Sequence, residues 1–132
     1  MAPETDLKTK IDGFPGYGDD EAREKSDELV RSYLGERLAE LQQRLEPLDA
    51  SLNDRLGDLL MRTVFTNQAV HKLYDGGSTD VDLDAVARAD EQTIALADQA
   101  SSIDSAELGA YLISVSKILD EREAAMSGRP SR

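Results

Sequence analysis

The sequence predicts an all-α fold: an antiparallel up-down four-helix bundle, a long helical hairpin followed by a shorter one, with an irregular N-terminal segment. Three observations predict it. Apolar residues recur at steps of three and four through most of the chain, which marks one face of a helix. Pro occurs at four positions, three of them near the ends, which leaves room for long uninterrupted helices. Turn and cap residues fall between the periodic stretches. The expected organisation is an irregular segment over 1–18, the bundle over 19–127 and a flexible tail over 128–132.

Residues 1–18 (MAPETDLKTKIDGFPGYG) show no period, and Gly13, Pro15, Gly16 and Gly18 argue against regular structure there. Ile11, Phe14 and Tyr17 are nevertheless large apolar groups that a solvated tail does not need. They read either as a strap packed into a groove of the bundle or as a motif that docks onto a partner. Asp19, Asp20 and Glu21 then open the first helix, where carboxylates meet free N–H groups and the positive end of the helix dipole. Its seam is Val30, Leu34, Leu38, Leu41, Leu45 and Leu48, and the pattern runs to about Glu46. Pro47 ends it, and Asp49 or Ser51 caps the next helix.

The stretch 52–74 carries three apolar rows. Leu52, Leu56, Leu59, Thr63, Thr66, Val70 and Leu73 form the first, Leu60, Val64, His71 and Tyr74 the second, and Met61, Phe65 and Ala69 the third. So many apolar faces predict the central, most buried element, closed by Gly76 and Gly77. The third helix starts near Asp82, with Val81 and Val86 as a staple around the cap. Its inward row is Leu83, Val86 or Ala87, Asp90, Ile94, Ala97 and Ser101, a weak face of small residues. Asp104 and Glu107 make a capping box for the fourth helix, and Ile103 with Leu108 its staple. Leu108, Leu112, Val115, Leu119 and Met126 are that helix's seam, with Tyr111 and Ile118 beside it. A long hairpin overhanging a short one leaves apolar seam uncovered, for which a homo-oligomer is one remedy.

Composition narrows the function. At 132 residues the chain is one domain, and its net charge of −12 disfavours nucleic acid and favours a partner protein with a basic surface. Cys is absent, which excludes disulfides, thiol catalysis and Cys-based zinc. No signal peptide and no membrane span can be read, so the expected location is cytoplasmic, and Arg outnumbering Lys ten to five suggests a bacterial source. His71 is the only histidine, which removes di-iron and zinc-hydrolase sites, and no nucleotide-binding glycine loop occurs. No enzyme activity and no cofactor are expected.

Two short stretches point elsewhere. AVHKLYDGGS, around His71, resembles the motif surrounding the phosphorylated histidine of histidine-phosphotransfer domains, which are acidic four-helix bundles of about this size. The resemblance implies a phosphorelay role for His71. That family carries Lys three residues after the histidine and Gly next, where this chain has Tyr74 and Asp75. Asp80, Asp82, Asp84 and Glu91 stand at positions 1, 3, 5 and 12 of what resembles an EF-hand calcium loop. Ala85 replaces the Gly such a loop needs, and a run of helix caps and first-turn carboxylates explains the same Asp residues. The leading expectation is a non-enzymatic adaptor, small subunit or regulator acting through protein–protein contact. Its contact surface is expected at Ile11, Phe14 and Tyr17 or on the acidic face bearing Asp82, Asp84 and Glu91.

Overall fold

The computed structural model describes residues 3–64 and 82–126. The expectations for His71, Asp80, the Gly76–Gly77 stop and the C-terminal tail lie outside these residues. The described part is all-α and contains no strand. Its helices are α1 (Pro3–Lys10), α2 (Asp20–Leu45), α3 (Ala50–Val64), α4 (Leu83–Gln99) and α5 (Leu108–Met126), with a single 3-10 turn at Ala100–Ser102.

α1 corrects the expectation of an irregular segment over 1–18. Pro at the first helical position lacks only an N–H that would have no partner there. Leu7, at 1% exposure, anchors the helix in the core. One apolar side chain in two turns leaves no period to read. The irregular part is confined to 11–19, where Gly13 and Gly16 take φ of 78° and 85° to turn the chain.

α2 begins as expected, with Ala22 N donating to Asp19 Oδ1 at 2.7 Å. Val30, Leu34, Leu38 and Leu41 are buried along its seam. Asp49 is the cap that starts α3, accepting from Leu52 N at 2.9 Å. α3 buries Leu56, Leu59 and Thr63, but Met61 is 58% and Val64 70% exposed. Within its described length α3 is therefore not the central element, because Met61 of its third row and Val64 of its second face water. α2 and α4 hold that position: α2 packs against α3 and α4, while α4 packs against α1, α2 and α5.

α4 starts on its Asp82 cap, which accepts from Ala85 N at 3.2 Å. Its buried face includes Ala87, Ala89, Thr93 and Ala97, small side chains that let neighbours come close. The capping box of α5 is reciprocal: Glu107 N donates to Asp104 Oδ1 at 2.9 Å and Asp104 N to Glu107 Oε1 at 3.1 Å. Ile103, extended at φ −80° and ψ 132°, separates the two helices.

Named contacts give the helix directions. Gln42 meets Asn53 while Arg31 reaches the Thr63 carbonyl, so α2 and α3 run oppositely. Tyr111 meets the Leu96 carbonyl while Arg122 meets Asp90, so α4 and α5 do too. Across these pairs the sense is the same. Tyr33 pairs with Asp98 and Arg44 with the Ala100 and Ile103 carbonyls, aligning α2 with α4. A Cβ on Gly109 would meet Leu52 Cδ2 at 3.8 Å, and Arg62 binds Asp120 and Glu123, aligning α3 with α5.

Two apolar clusters fill the interior. Leu34, Leu38, Leu41, Leu56, Leu112 and Val115 belong to one; Leu7, Ile11, Phe14, Val86, Ile94 and Met126 belong to the other. Tyr33 packs against both. α2 and α3 approach closely where a Cβ on Gly35 would lie 2.7 Å from Thr63 Oγ1.

Candidate functional site

Ile11, Phe14 and Tyr17 are buried at 7%, 5% and 5% exposure. Phe14 and Tyr17 meet edge to face, with ring centroids 5.7 Å apart. The segment is a strap over the second apolar cluster, and in this conformation its large side chains present no surface to a partner. Ser26 Oγ donates to the Gly16 carbonyl at 2.6 Å and Arg23 Nε to the Tyr17 carbonyl at 3.0 Å, which fixes its path.

On α4, Asp82 and Asp84 are exposed and Glu91 is half-buried. α4 is already helical at Leu83, so Asp84 and Glu91 stand about 10.5 Å apart along one helix axis. Those two carboxylates cannot close around a single calcium ion as loop residues would. Among the described residues no group of three His, Cys, Asp or Glu could hold a metal. The Asp6 carboxyl on α1, facing Glu91, raises its pKa above the ordinary range.

A buried ion cluster is the principal polar feature. Asp27 of α2, Asp90 of α4 and Arg122 of α5 are 3%, 0% and 2% exposed, with Arg31 beside them. Arg122 donates from Nε to Asp90 Oδ1 at 2.5 Å and from Nη2 to Asp27 Oδ1 at 2.6 Å. Arg31 donates from Nε to Asp27 Oδ2 at 3.0 Å and from Nη1 to the Thr63 carbonyl at 3.1 Å. The Tyr17 hydroxyl donates to Asp90 Oδ2 at 2.5 Å. Two carboxylates face two guanidiniums, so the cluster is formally neutral and ties the strap to four helices.

Burial pushes the Asp90 carboxyl up, against the pull of Arg122 and the Tyr17 hydrogen bond. Burial also opposes the charge on Arg122, but Asp90 and Asp27 outweigh it and hold the guanidinium protonated. Both Asp90 oxygens are taken by these hydrogen bonds. The cluster is built to hold the fold. The sequence carried a signal for it: Asp27 lies three residues before Val30 on the α2 seam, Asp90 lies in the inward row of α4, and Arg122 interrupts the α5 seam between Leu119 and Met126.

A second polar group sits nearer the surface. Lys10 Nζ binds Asp98 Oδ2 at 2.8 Å, the Tyr33 hydroxyl donates to Asp98 Oδ1 at 2.5 Å, and the Arg37 guanidinium lies 4.5 Å above the Tyr33 ring. Burial raises Asp98, but the hydrogen bonds from Lys10 and Tyr33 hold it below the ordinary carboxylate value.

Two open grooves mark the surface. One, of about 430 Å³, runs between α3 and α5 over Leu59, Leu112 and Ile113. The other, of about 600 Å³, runs between α2 and α3 past Gly35, Leu60 and Val64. No helix among the described residues is long and apolar enough to cross a membrane. Comparison with protein-family models finds no match, and comparisons with curated proteins and with solved structures find none.

Proposed function

We propose that this chain is a non-enzymatic helical-bundle protein that works by binding another protein, as an adaptor, small subunit or regulator in the cytoplasm. In this reading the four longer helices, joined through 65–81, form an up-down bundle. The observation that carries it is where the interacting charges lie. The densest set of ionisable groups is sealed beneath the surface with each member engaged, so a substrate could not reach it. What the surface offers is contact area: open grooves and exposed acidic side chains.

The strap residues are buried, so the acidic face of α4, with Asp82, Asp84 and Glu91, is the contact surface left from the sequence-based expectation. It fits a partner with a basic surface. The test is reconstitution. The purified chain is used to capture a partner, and the partner is then purified separately and mixed back, with mass read by light scattering. A stoichiometric complex that weakens with salt and with Asp84→Asn plus Glu91→Gln supports the proposal. A homodimer that forms no complex with any purified candidate overturns it.

A further inference from the structure

The groove between α3 and α5 differs from the rest of this acidic surface. Its walls are the α3 residues Arg55, Asp58 and Arg62 and the α5 residues Ile113, Lys117 and Asp120, over a floor of Leu59 and Leu112. Ile113 is 58% exposed, a large aliphatic group in water at the groove's edge. Most described cations are engaged: Arg31 and Arg122 by the buried carboxylates, Lys10 by Asp98, Arg44 by two carbonyls. Arg62 is held by Asp120 at 3.0 Å and Glu123 at 3.1 Å. Arg55 and Lys117, both exposed, make no ion pair or hydrogen bond with another described residue, and both stand on this groove, one on each wall.

Arg62 is offset by the two carboxylates that hold it, Asp120 and Glu123, which leaves Arg55 and Lys117 as the unengaged cations, with the Asp58 carboxylate beside them. The lining carries three cations and two carboxylates, an excess of one positive charge on a chain of net charge −12. The distant acidic surface does not cancel this, because charges are screened beyond about 8 Å at physiological ionic strength. The walls run side by side in the same direction over about two helical turns, roughly 10.5 Å. An apolar floor flanked by cations is complementary to one kind of occupant: a helix with an apolar stripe bordered by carboxylates.

We propose that the α3–α5 groove docks an acidic amphipathic helix of a partner protein, with the partner's apolar stripe on Ile113 and its carboxylates on Arg55 and Lys117. The proposal rests on the protein-binding reading above and names a second surface, distinct from the acidic face of α4. An adaptor with both would join a basic partner on one side to an acidic helix on the other. Among the described residues, the acidic helix face that a second copy could offer does not fit. The outer face of α2 is acidic, with Glu21, Glu24, Glu28, Glu36 and Glu40 exposed, but it offers no large apolar side chain for the floor.

The test uses the full chain and three labelled synthetic peptides of about 14 residues, long enough to be helical. The first has Leu on one helical stripe and Glu elsewhere, the second has Lys in place of Glu, and the third is the acidic peptide with its order scrambled. Fluorescence anisotropy should show binding of the first alone among them at this groove. Ile113→Ser should weaken it about tenfold, as should Arg55→Glu with Lys117→Glu. The charge-reversed variant should instead prefer the Lys peptide, a gain that also shows it to be folded. Binding of the scrambled acidic peptide equal to the ordered one would mean simple anion attraction and overturn the proposal. So would acidic-peptide binding untouched by these substitutions, or a dimer that Ile113→Ser dissolves. If the groove fails while a reconstituted complex still depends on Asp84 and Glu91, only the groove is lost; if both fail, so is the binding reading.

Discussion

Removing the Arg122 guanidinium would strand the Asp27 and Asp90 carboxylates inside the protein. Breaking a buried pair from one side costs about 3–5 kcal/mol, so Arg122→Ala should lower the unfolding free energy by that order in urea titrations. Tyr17→Phe removes the hydrogen bond to the Asp90 carboxylate and should cost about 1.5–3 kcal/mol. At this scale much was legible and little was combined. A charge in an apolar row is visible in each of three helices, and Asp90 stood in the expected inward row of α4. That these charges meet depends on which rows face one another, and spacing along one helix carries no information about that.

The strap, the α2–α3 crossing and the caps are questions of whole elements. Phe14→Ala with Tyr17→Ala should lower the melting temperature well before it alters any surface, since truncating a buried aromatic costs about 3–5 kcal/mol. An unchanged melt with lost partner capture would return these residues to the docking role. Gly35→Ala places a methyl 2.7 Å from a threonine oxygen that is itself bound to the Leu60 carbonyl. It should destabilise by about 1–3 kcal/mol despite alanine's better helix propensity, and Thr63→Ala should relieve part of the loss. Asp104→Ala, which opens the α5 capping box, should cost about 1 kcal/mol. Helix starts were the most readable feature because each is a local hydrogen bond: Asp19, Asp49, Asp82 and Asp104 all cap as their sequences suggest. α1 was unreadable because one anchored leucine makes no pattern. α3 misled because apolar residues can face water at a small cost each, so three apolar rows do not by themselves mean burial on three sides.

For the whole molecule, pH reports how the parts are tied. Asp98, held below its ordinary 3.8, contributes stability that is present above that value and is lost as pH falls through the folded one. Lys10, raised by the same pair from 10.5, contributes below that value and loses it as pH climbs through the folded one. Asp98→Asn should therefore flatten the stability profile at both ends, as measured by denaturation across pH. Burial pushes the Tyr111 hydroxyl up to about 12, so its ultraviolet titration should come late, with stability draining between pH 10 and 12. The helical class was readable from periodicity and proline placement. Which helices are neighbours was not: the expected up-down order already gives α2 the direction of α4 and α3 that of α5, but four amphipathic stripes can be paired in more than one way, and here α2 lies beside α4 and α3 beside α5. The polar contacts that choose among them, Tyr33 to Asp98 and Arg62 to Asp120, are long-range.

The strap has a consequence for how the molecule comes into being. Its anchors lie far downstream: Tyr17 waits for a partner 73 residues later, Lys10 for one 88 residues later, and Asp27 for Arg122, 95 residues on. On a ribosome, which delivers the chain in the N-to-C direction, the strap is made before the helices that cover it and must settle after them. Until α4 has emerged, Ile11, Phe14 and Tyr17 lack Val86, Ala87 and Ile94 of their apolar cluster, and until α5 has, Asp27 has Arg31 but not Arg122 to neutralise it. Such distant closures slow folding, so the nascent chain carries this aromatic segment uncovered until α4 has been made.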